Sequence, residues 1–319
     1  MNIIQNILLL NLLKGSNNIL LEAEKQIEKE LLNQNLDLIL KTNSKNFKES
    51  LKANFFSLLM ISILKNEKIE YERLVEYTKI IIHTRQIITS TDNIIDKENK
   101  GIIFSKSLKN LVVANTLINL YCKNSISKSL SKLGDESFRA DDTLLKYIDL
   151  IAVSESKRDV LEGNYPSSNK IIDEIHSGIG GRLLELSLIA PIALESGEIK
   201  KKLQDYSTGL YWIGMALQEL DDFFDMKEDY ENEKYNLYTG KYLEKFNPSE
   251  SDLVKILDNR EFITETFSED LKNVKINTEK GLNIFKDQGF PIGKSDFKPL
   301  LKELFKIRGL KKEFSIIFE

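Results

Sequence analysis

Three aspartates, Asp221, Asp225 and Asp229, recur at intervals of four residues within an otherwise apolar segment. On a helix, residues i and i+4 lie on one face, so the spacing predicts a ladder of carboxylates. Like charges on one face repel, and Mg²⁺ relieves such repulsion when it binds one or two carboxylates together with substrate phosphate oxygens. We therefore predict a site for metal and diphosphate here; a solvated acidic helix end is the alternative.

A second pair of carboxylates, Asp92 and Asp96, repeats the spacing upstream, again after an apolar run. Each pattern alone is common on helices. Two ladders on facing helices would enclose a cluster of cations, so the pair favours a metal-dependent reaction of a phosphorylated substrate over two unrelated acidic surfaces.

The elements that must position these ladders are predicted to be helical. The chain has 319 residues, of which 41% are hydrophobic, with only 5 Pro and 15 Gly. Apolar residues follow helical spacing over 51–64 and 182–194, and no stretch alternates long enough to require a sheet. We predict one all-α domain over 1–319, with loops at 123–129 and 229–234.

Composition excludes several other classes of protein. The single cysteine, Cys122, allows no intramolecular disulfide, and the lack of Cys/His clusters argues against structural zinc. A net charge of −4 gives no electrostatic case for nucleic acid. The apolar residues 3–13 are too few to span a bilayer, so we expect no transmembrane segment and a cytoplasmic protein.

The downstream ladder carries a more specific pattern: Gly214 and Gln218 precede Asp221, Asp222 and Asp225. In this order the residues resemble the second Asp-Asp-x-x-Asp motif of class I isoprenoid synthases of the trans-polyprenyl diphosphate synthase type. The first motif of that family is similar to Asp92-Asn93-Ile94-Ile95-Asp96, in which asparagine replaces the second aspartate.

The resemblance implies a single-domain helical bundle around a central active-site cavity, and in most relatives a homodimer. It implies that Mg²⁺ is the cofactor and that an allylic prenyl diphosphate is the substrate. By the same resemblance, the catalytic residues are Asp92, Asp96, Asp221, Asp222 and Asp225, and all but Asp222 are metal ligands. Those that bind diphosphate are Lys234, Lys100, Arg182 and Gln218, and those that line the prenyl pocket are Ile87, Ile88, Phe56 and Leu183.

The chain departs from the family where the second substrate, isopentenyl diphosphate, is held. Ile179-Gly180 stands at the place of a Lys-Thr pair, Ser156 replaces the glutamine that precedes Asp159, and no Gly-Lys-x-x-Arg element is found. The residues that are kept serve the metal and the leaving diphosphate. The acceptor of the prenyl group is therefore the main open question.

Two further features allow more than one interpretation. Gly178, Gly180 and Gly181 cluster within a predicted helix, which indicates a helix break near a carbocation, close packing against a neighbouring helix, or a loop. His83 and His176 lie without catalytic partners in the sequence and are predicted to be structural or surface histidines.

Three functions remain compatible with the sequence. The protein is a prenyltransferase if a second molecule captures the cation, and a terpene cyclase if the substrate's own double bond does so. A non-catalytic partner subunit of a heteromeric synthase is the third. The intact carboxylates of the downstream motif favour an enzyme, because perturbed carboxylate clusters usually mark working sites.

Overall fold

A computed structural model describes residues 3–41, 46–159 and 165–292, together with 315, 317 and 318. Over these residues the chain is almost entirely helical, which confirms the predicted all-α class. The helices before the glycine cluster are α1 (Ile3–Asn33), α2 (Phe47–Asn66), α3 (Tyr71–Asp96), α4 (Leu111–Leu133), α5 (Ser137–Ser156) and α6 (Ser168–Ile171).

A π-helix, Ile172–Arg182, follows α6 and contains all three clustered glycines. After it come α7 (Leu183–Leu194), α8 (Gly197–Glu231), α9 (Leu237–Phe246), α10 (Glu250–Leu257), α11 (Arg260–Thr266) and α12 (Leu271–Asp287). Two short strands, β1 (Leu38–Leu40) and β2 (Ile103–Ser105), pair antiparallel. The predicted loop at 123–129 is wrong, because these residues lie inside α4.

The chain folds into two compact units. The first unit comprises Ile3–Leu144 and Ser187–Gln204, and the second comprises Leu145–Leu186 and the residues from Asp205 onwards. The carboxylate pair at Asp92 and Asp96 belongs to the first unit and the ladder at Asp221 to the second. A single domain over 1–319 stays a prediction.

The core of the first unit forms where α3 packs along α4 and where α1 packs on α2 and α3. Its buried side chains are mostly Leu and Ile, as the apolar spacing predicts. One buried cation, Lys79, donates to Glu30 Oε1 at 2.6 Å and lies 3.3 Å from Glu76 Oε2. The pairing offsets the cost of burying its charge.

The core of the second unit collects aromatic rings around the downstream end of α8. Phe223 and Phe267 both meet Tyr238 edge to face, with ring centroids 5.3 and 5.0 Å apart. Asp221 and Asp225, each two residues from Phe223, lie on the opposite side of α8 and are exposed and half-buried, whereas Asp222 and Asp229 are buried.

One helical stretch, Ser168–Leu194, is long and apolar enough to pass a length-and-composition test for a membrane span. Half of its most apolar window is buried inside the protein. A single match of this kind is weak evidence for a span, because the core helix of a soluble protein passes the same test.

Candidate active site

The carboxylate ladder predicted on α8 is present, but its three members have different surroundings. Asp221 is exposed, Asp225 is half-buried and Asp229 is buried. Burial and the negative charges of Asp221 and Glu228 raise the pKa of Asp225 to about 6. A carboxyl group held in this way gains from a cation, because a cation removes the repulsion that opposes its ionisation.

Asp222, the neighbour of Asp221, is only 2% exposed and binds protein groups on both of its oxygens. Oδ2 accepts hydrogen bonds from His176 Nε2 at 2.8 Å and from the Leu237 backbone N–H at 2.7 Å, and Oδ1 accepts from Gln218 at 3.0 Å. Burial works to raise the pKa of Asp222, but His176 and these hydrogen bonds lower it overall. Asp222 therefore acts as an ionised anchor between the π-helix, α8 and α9.

Asp229 is tied to two groups from other segments. Its Oδ1 accepts from Arg158 at 3.1 Å and its Oδ2 from the Asn236 side chain at 2.8 Å. Burial raises the pKa of Asp229 to about 6 despite the opposing effect of Arg158. The third member of the predicted ladder thus fixes neighbouring segments, and Asp221 and Asp225 are the two members that remain on the accessible side.

Arg158 was not singled out from the sequence, although it adjoins Asp159 of the family-like segment. Its guanidinium is largely buried and interacts with Asp229, Glu155, Asp222 and Asp221. It also acts to lower the pKa of Asp225. A buried arginine next to an acidic ladder supplies a fixed positive charge, and its position beside the matched aspartate was the available signal.

Lys234 lies in the segment that joins α8 to α9. This segment pairs with the residues that follow α5. Asp159 and Lys234 form an antiparallel bridge, and the Tyr235 N–H donates to Arg158 O at 2.6 Å. The Asn236 side chain caps α9 and also donates to Asp222 O at 2.6 Å. These bonds place Lys234 at the carboxyl-terminal end of the acidic ladder, where the sequence predicted a cation.

Two of the predicted diphosphate ligands have other partners. Gln218 is buried and its amide donates to Asp222, so it positions that carboxylate. Arg182 Nη1 lies 3.8 Å from Glu185 Oε2. The guanidinium carbon of Arg182 lies 5.7 Å from the centroid of the Tyr147 ring. Direct contact of either side chain with a diphosphate remains a prediction.

The glycine cluster packs closely against α8. A Cβ on Gly180 would lie 2.6 Å from Gln218 Cβ and 2.8 Å from Gly214 O, and one on Gly181 would overlap the Tyr211 ring. A Cβ on Gly178 would overlap the Ser154 side chain. Of the three sequence interpretations, the contacts support close helix packing, here through a π-helix, an element that is frequent at functional sites.

In the first unit, Asp92 and Asp96 lie exposed on the last turns of α3. Asn93 between them is 1% exposed and holds the loop that follows. Its side chain donates to Lys100 O at 2.9 Å and to Asn115 Oδ1 at 3.1 Å, and it accepts from the Lys100 N–H at 2.9 Å. The asparagine therefore has a structural role that an ionised aspartate could not fill, since a carboxylate donates no hydrogen bond.

Lys100 lies at the end of that loop with an exposed side chain that forms an ion pair with Glu98. Its pKa is raised, first by the hydrogen bond to Glu98 and further by the charges of Asp96 and Asp92. Lys100 is thus electrostatically coupled to the upstream pair, as expected of a residue that would meet a metal-bound diphosphate.

The four predicted pocket residues are half-buried: Phe56, Ile87 and Ile88 in the first unit, and Leu183 in the second. Partial burial leaves apolar surface available to a prenyl chain, and their role in the pocket stays a prediction. His83, in contrast, is fully buried with its ring edge-to-face on Tyr121. Burial lowers its pKa to about 3, which supports the predicted structural role.

Within the described parts of the chain, no group of three or more His, Cys, Asp or Glu side chains is arranged to hold a metal ion. Two carboxylates suffice for Mg²⁺ when substrate phosphates supply further oxygens. Asp221 and Asp225 fit that requirement: they lie one helical turn apart, and the pKa of Asp225 is raised by burial and then by its acidic neighbours.

The sequence matches no protein-family model and no curated protein sequence. Solved structures, however, match over nearly the whole chain. An octaprenyl pyrophosphate synthase from Helicobacter pylori has a TM-score of 0.56 at 19% identity, covering 94% of this chain and 98% of that one. The chain has the fold of a polyprenyl diphosphate synthase.

Two geranylgeranyl pyrophosphate synthetases agree with this assignment. The protein from the archaeon Geoglobus acetivorans has a TM-score of 0.53 at 14% identity, with 95% of this chain and 99% of that chain covered. The protein from Pyrococcus horikoshii Ot3 has a TM-score of 0.51 at 14% identity, with 96% and 99% covered. At these identities the comparison establishes the fold, and the reaction has to be argued from the residues.

Proposed function

We propose that this protein is a Mg²⁺-dependent class I isoprenoid synthase that ionises an allylic prenyl diphosphate and transfers the prenyl cation to an acceptor. The observation that carries the proposal is the pair Asp221 and Asp225. They stand one turn apart on the accessible side of α8, while Asp222 and Asp229 on the same helix are held by protein groups. The fold shared with polyprenyl diphosphate synthases supports it.

In the proposed function, Asp221 and Asp225 of the second unit would hold Mg²⁺, and Asp92 and Asp96 are the proposed Mg²⁺ ligands of the first unit. When bound, the metal neutralises charge on the leaving diphosphate and orients it. Arg158 and Lys234 add positive charge at the end of the α8 ladder. Asp222 keeps α8 and α9 in register through His176, Gln218 and the Leu237 N–H, so the ladder is preorganised before substrate arrives.

Water has to be excluded once the carbon–oxygen bond breaks, because an allylic cation is otherwise hydrolysed. We assign this role within each unit to half-buried apolar residues, which are Phe56, Ile87 and Ile88 in the first unit and Leu183 in the second. A cytoplasmic homodimer is part of the same proposal, supported by the family resemblance of the two motifs.

The fate of the cation separates the candidate reactions. Ile179 and Ser156 replace residues that the resembling family uses around its substrates, which favours either cyclisation or an acceptor other than isopentenyl diphosphate. A non-catalytic partner subunit is the remaining interpretation of those replacements.

The deciding experiment incubates the purified protein with geranyl, farnesyl or geranylgeranyl diphosphate and Mg²⁺, each with and without isopentenyl diphosphate. We expect diphosphate release with at least one allylic substrate. A longer diphosphate formed only with isopentenyl diphosphate identifies chain elongation, and a hydrocarbon or alcohol formed without it identifies a cyclase. No diphosphate release in any reaction, including those with added acceptors, would contradict the proposed enzyme.

A further inference from the structure

Helix α1 presents a line of leucines to solvent. Leu10, Leu21 and Leu32 are 43%, 44% and 69% exposed, while other side chains of α1 pack on α2 and α3. Eleven residues are three helical turns plus about 20°, so the three leucines lie nearly in line on one side of the helix. The line is about 33 Å long, and none of its residues has a place in the proposed ionisation of a prenyl diphosphate.

The line is more apolar than the solvent-facing side of a surface helix usually is. A single exposed leucine is common on soluble proteins and needs no explanation. An aligned series of apolar side chains is typical of a surface that binds a partner. Ile7, which is 52% exposed and lies about 40° around the helix from Leu21, extends the apolar surface at the amino-terminal end of α1.

Two opposite charges lie on the same line, one in each gap between the leucines. Lys14 and Glu28 are both exposed, and each is seven residues from Leu21, which places it within about 20° of the line. Leu10 and Leu32 are each eleven residues from Leu21. When the line is turned end to end about Leu21, Leu10 therefore falls on Leu32 and Lys14 falls on Glu28. The surface is complementary to a second copy of itself.

We propose that α1 pairs with the α1 of a second copy of this chain, antiparallel, about a two-fold axis that passes beside Leu21. Leu21 then meets the partner's Leu21, Leu10 meets the partner's Leu32, and Lys14 meets the partner's Glu28. The two-fold repeats the last two contacts, because both copies offer the same surface. The pairing uses residues of α1 alone and does not depend on prenyl diphosphate ionisation.

The charges select this arrangement over two alternatives. A parallel pair in register would bring Lys14 to the partner's Lys14 and Glu28 to the partner's Glu28. An antiparallel pair shifted so that Ile7 meets the partner's Leu32 would bring Lys14 to the partner's Lys25, because Lys25 is exposed on the same side of α1. Like charges that meet at an interface are unfavourable, so of the three pairings only the one centred on Leu21 suits both the leucines and the charges.

The test places one added cysteine on the line and measures disulfide formation between full-length chains under mild oxidation. A disulfide needs two Cα atoms within about 7 Å, so only a position that meets its own copy can form one. The native Cys122 is buried, which leaves the added thiol to react. In Leu21→Cys we expect most chains to become linked in pairs.

Leu32→Cys is the matched control. Leu32 is the most exposed of the three leucines, but in the antiparallel pair the two copies of residue 32 lie about 33 Å apart. We expect Leu32→Cys to link at least roughly tenfold more slowly than Leu21→Cys. A covalent pair is detected whether the copies start as single chains or as homodimers formed through another surface, so the homodimer of the proposed function does not affect the result.

Exchange of the charges tests the register. In the Leu21→Cys protein, Lys14→Glu should slow linking roughly tenfold, because the two-fold brings like charges together twice in each pair. Adding Glu28→Lys restores opposite charges, and the rate should return to that of Leu21→Cys. Lys29→Glu, at an exposed position about 80° around the helix from Leu21, is the control and should leave the rate unchanged.

Two results would overturn the proposal. One is a Leu21→Cys protein that stays unlinked, or that links no faster than Leu32→Cys. If this unlinked protein binds vesicles of phosphatidylcholine and phosphatidylglycerol through residue 21, the line is a lipid-binding surface instead. The other is a protein with both charges exchanged that links as slowly as the one with Lys14→Glu alone.

Discussion

At the scale of single residues, adjacent aspartates of the downstream motif have separate tasks. Asp221 is accessible, while Asp222 is buried with hydrogen bonds to both of its oxygens. Helical spacing predicted that Asp221 and Asp225 share a face. It could not predict the hydrogen bonds of Asp222 with His176 and the Leu237 N–H, because these groups come from other elements of the fold.

The first motif shows how a departure from a family pattern can be structural. Asn93 donates two hydrogen bonds, to Lys100 O and Asn115 Oδ1, from a fully buried position. The sequence showed only that an expected aspartate is missing, because the loop that Asn93 holds depends on tertiary contacts.

Replacing Asn93 by the aspartate of the family motif should therefore lower the stability of the protein. Asn93→Asp loses both donated bonds and places a buried carboxylate beside two oxygen atoms. We expect the free energy of unfolding to fall by about 3 kcal/mol. The measurement is urea unfolding followed by circular dichroism, with exposed Asn99→Asp from the same loop as the control. An Asn93→Asp protein as stable as its control would refute the assigned role.

At the scale of elements, helix α8 carries most of the candidate site, and its helical character follows from the apolar spacing. The π-helix that packs against it was not predictable, since its three glycines fit a loop, a break or a close contact equally well. The wrong prediction of a loop at 123–129 has a similar cause. Its Ser, Lys and Asn residues are typical of loops, but Ser125, Ile126 and Ser129 are buried in α4, so tertiary packing outweighs local preference.

The contact of the π-helix with α8 gives a prediction at this scale. A Cβ on Gly214 would lie 2.7 Å from the Gly180 carbonyl carbon, with backbone on both sides of the contact. We expect Gly214→Ala to lower the free energy of unfolding by about 3 kcal/mol or more. The added Cβ meets backbone atoms of the π-helix, so the clash can be relieved only if the π-helix or α8 moves.

The control is Gly197→Ala at the start of α8, where φ is 57° and no described atom beyond its chain neighbours lies within 4 Å of the added Cβ. Backbone strain alone should cost about 1 kcal/mol there. Thermal unfolding of both variants decides the matter. Equal losses of stability in the two proteins would mean that the helices do not depend on this close approach.

At the scale of the whole molecule, the all-α class followed from composition and periodicity, and the likeness to polyprenyl diphosphate synthases confirms it. The division into two units, with 187–204 assigned apart from the residues on either side, was not predictable. Such an arrangement depends on packing between segments far apart in sequence, which local patterns do not encode. The same holds for the segment beyond residue 243, which the motifs left unplaced and which forms helices up to Asp287.

The account depends most on Asp221 as a ligand for the metal that binds diphosphate. Its most direct test is the rate of diphosphate release from farnesyl, geranyl or geranylgeranyl diphosphate with Mg²⁺, compared with excess chelator. We predict release by wild type and by the control Asp205→Ala, which lies on the same helix. Asp221→Ala should lose roughly a hundredfold in rate, about 3 kcal/mol of transition-state stabilisation, and remain folded, with its stability within a few kcal/mol of wild type. Release by Asp221→Ala at the wild-type rate would contradict the central claim.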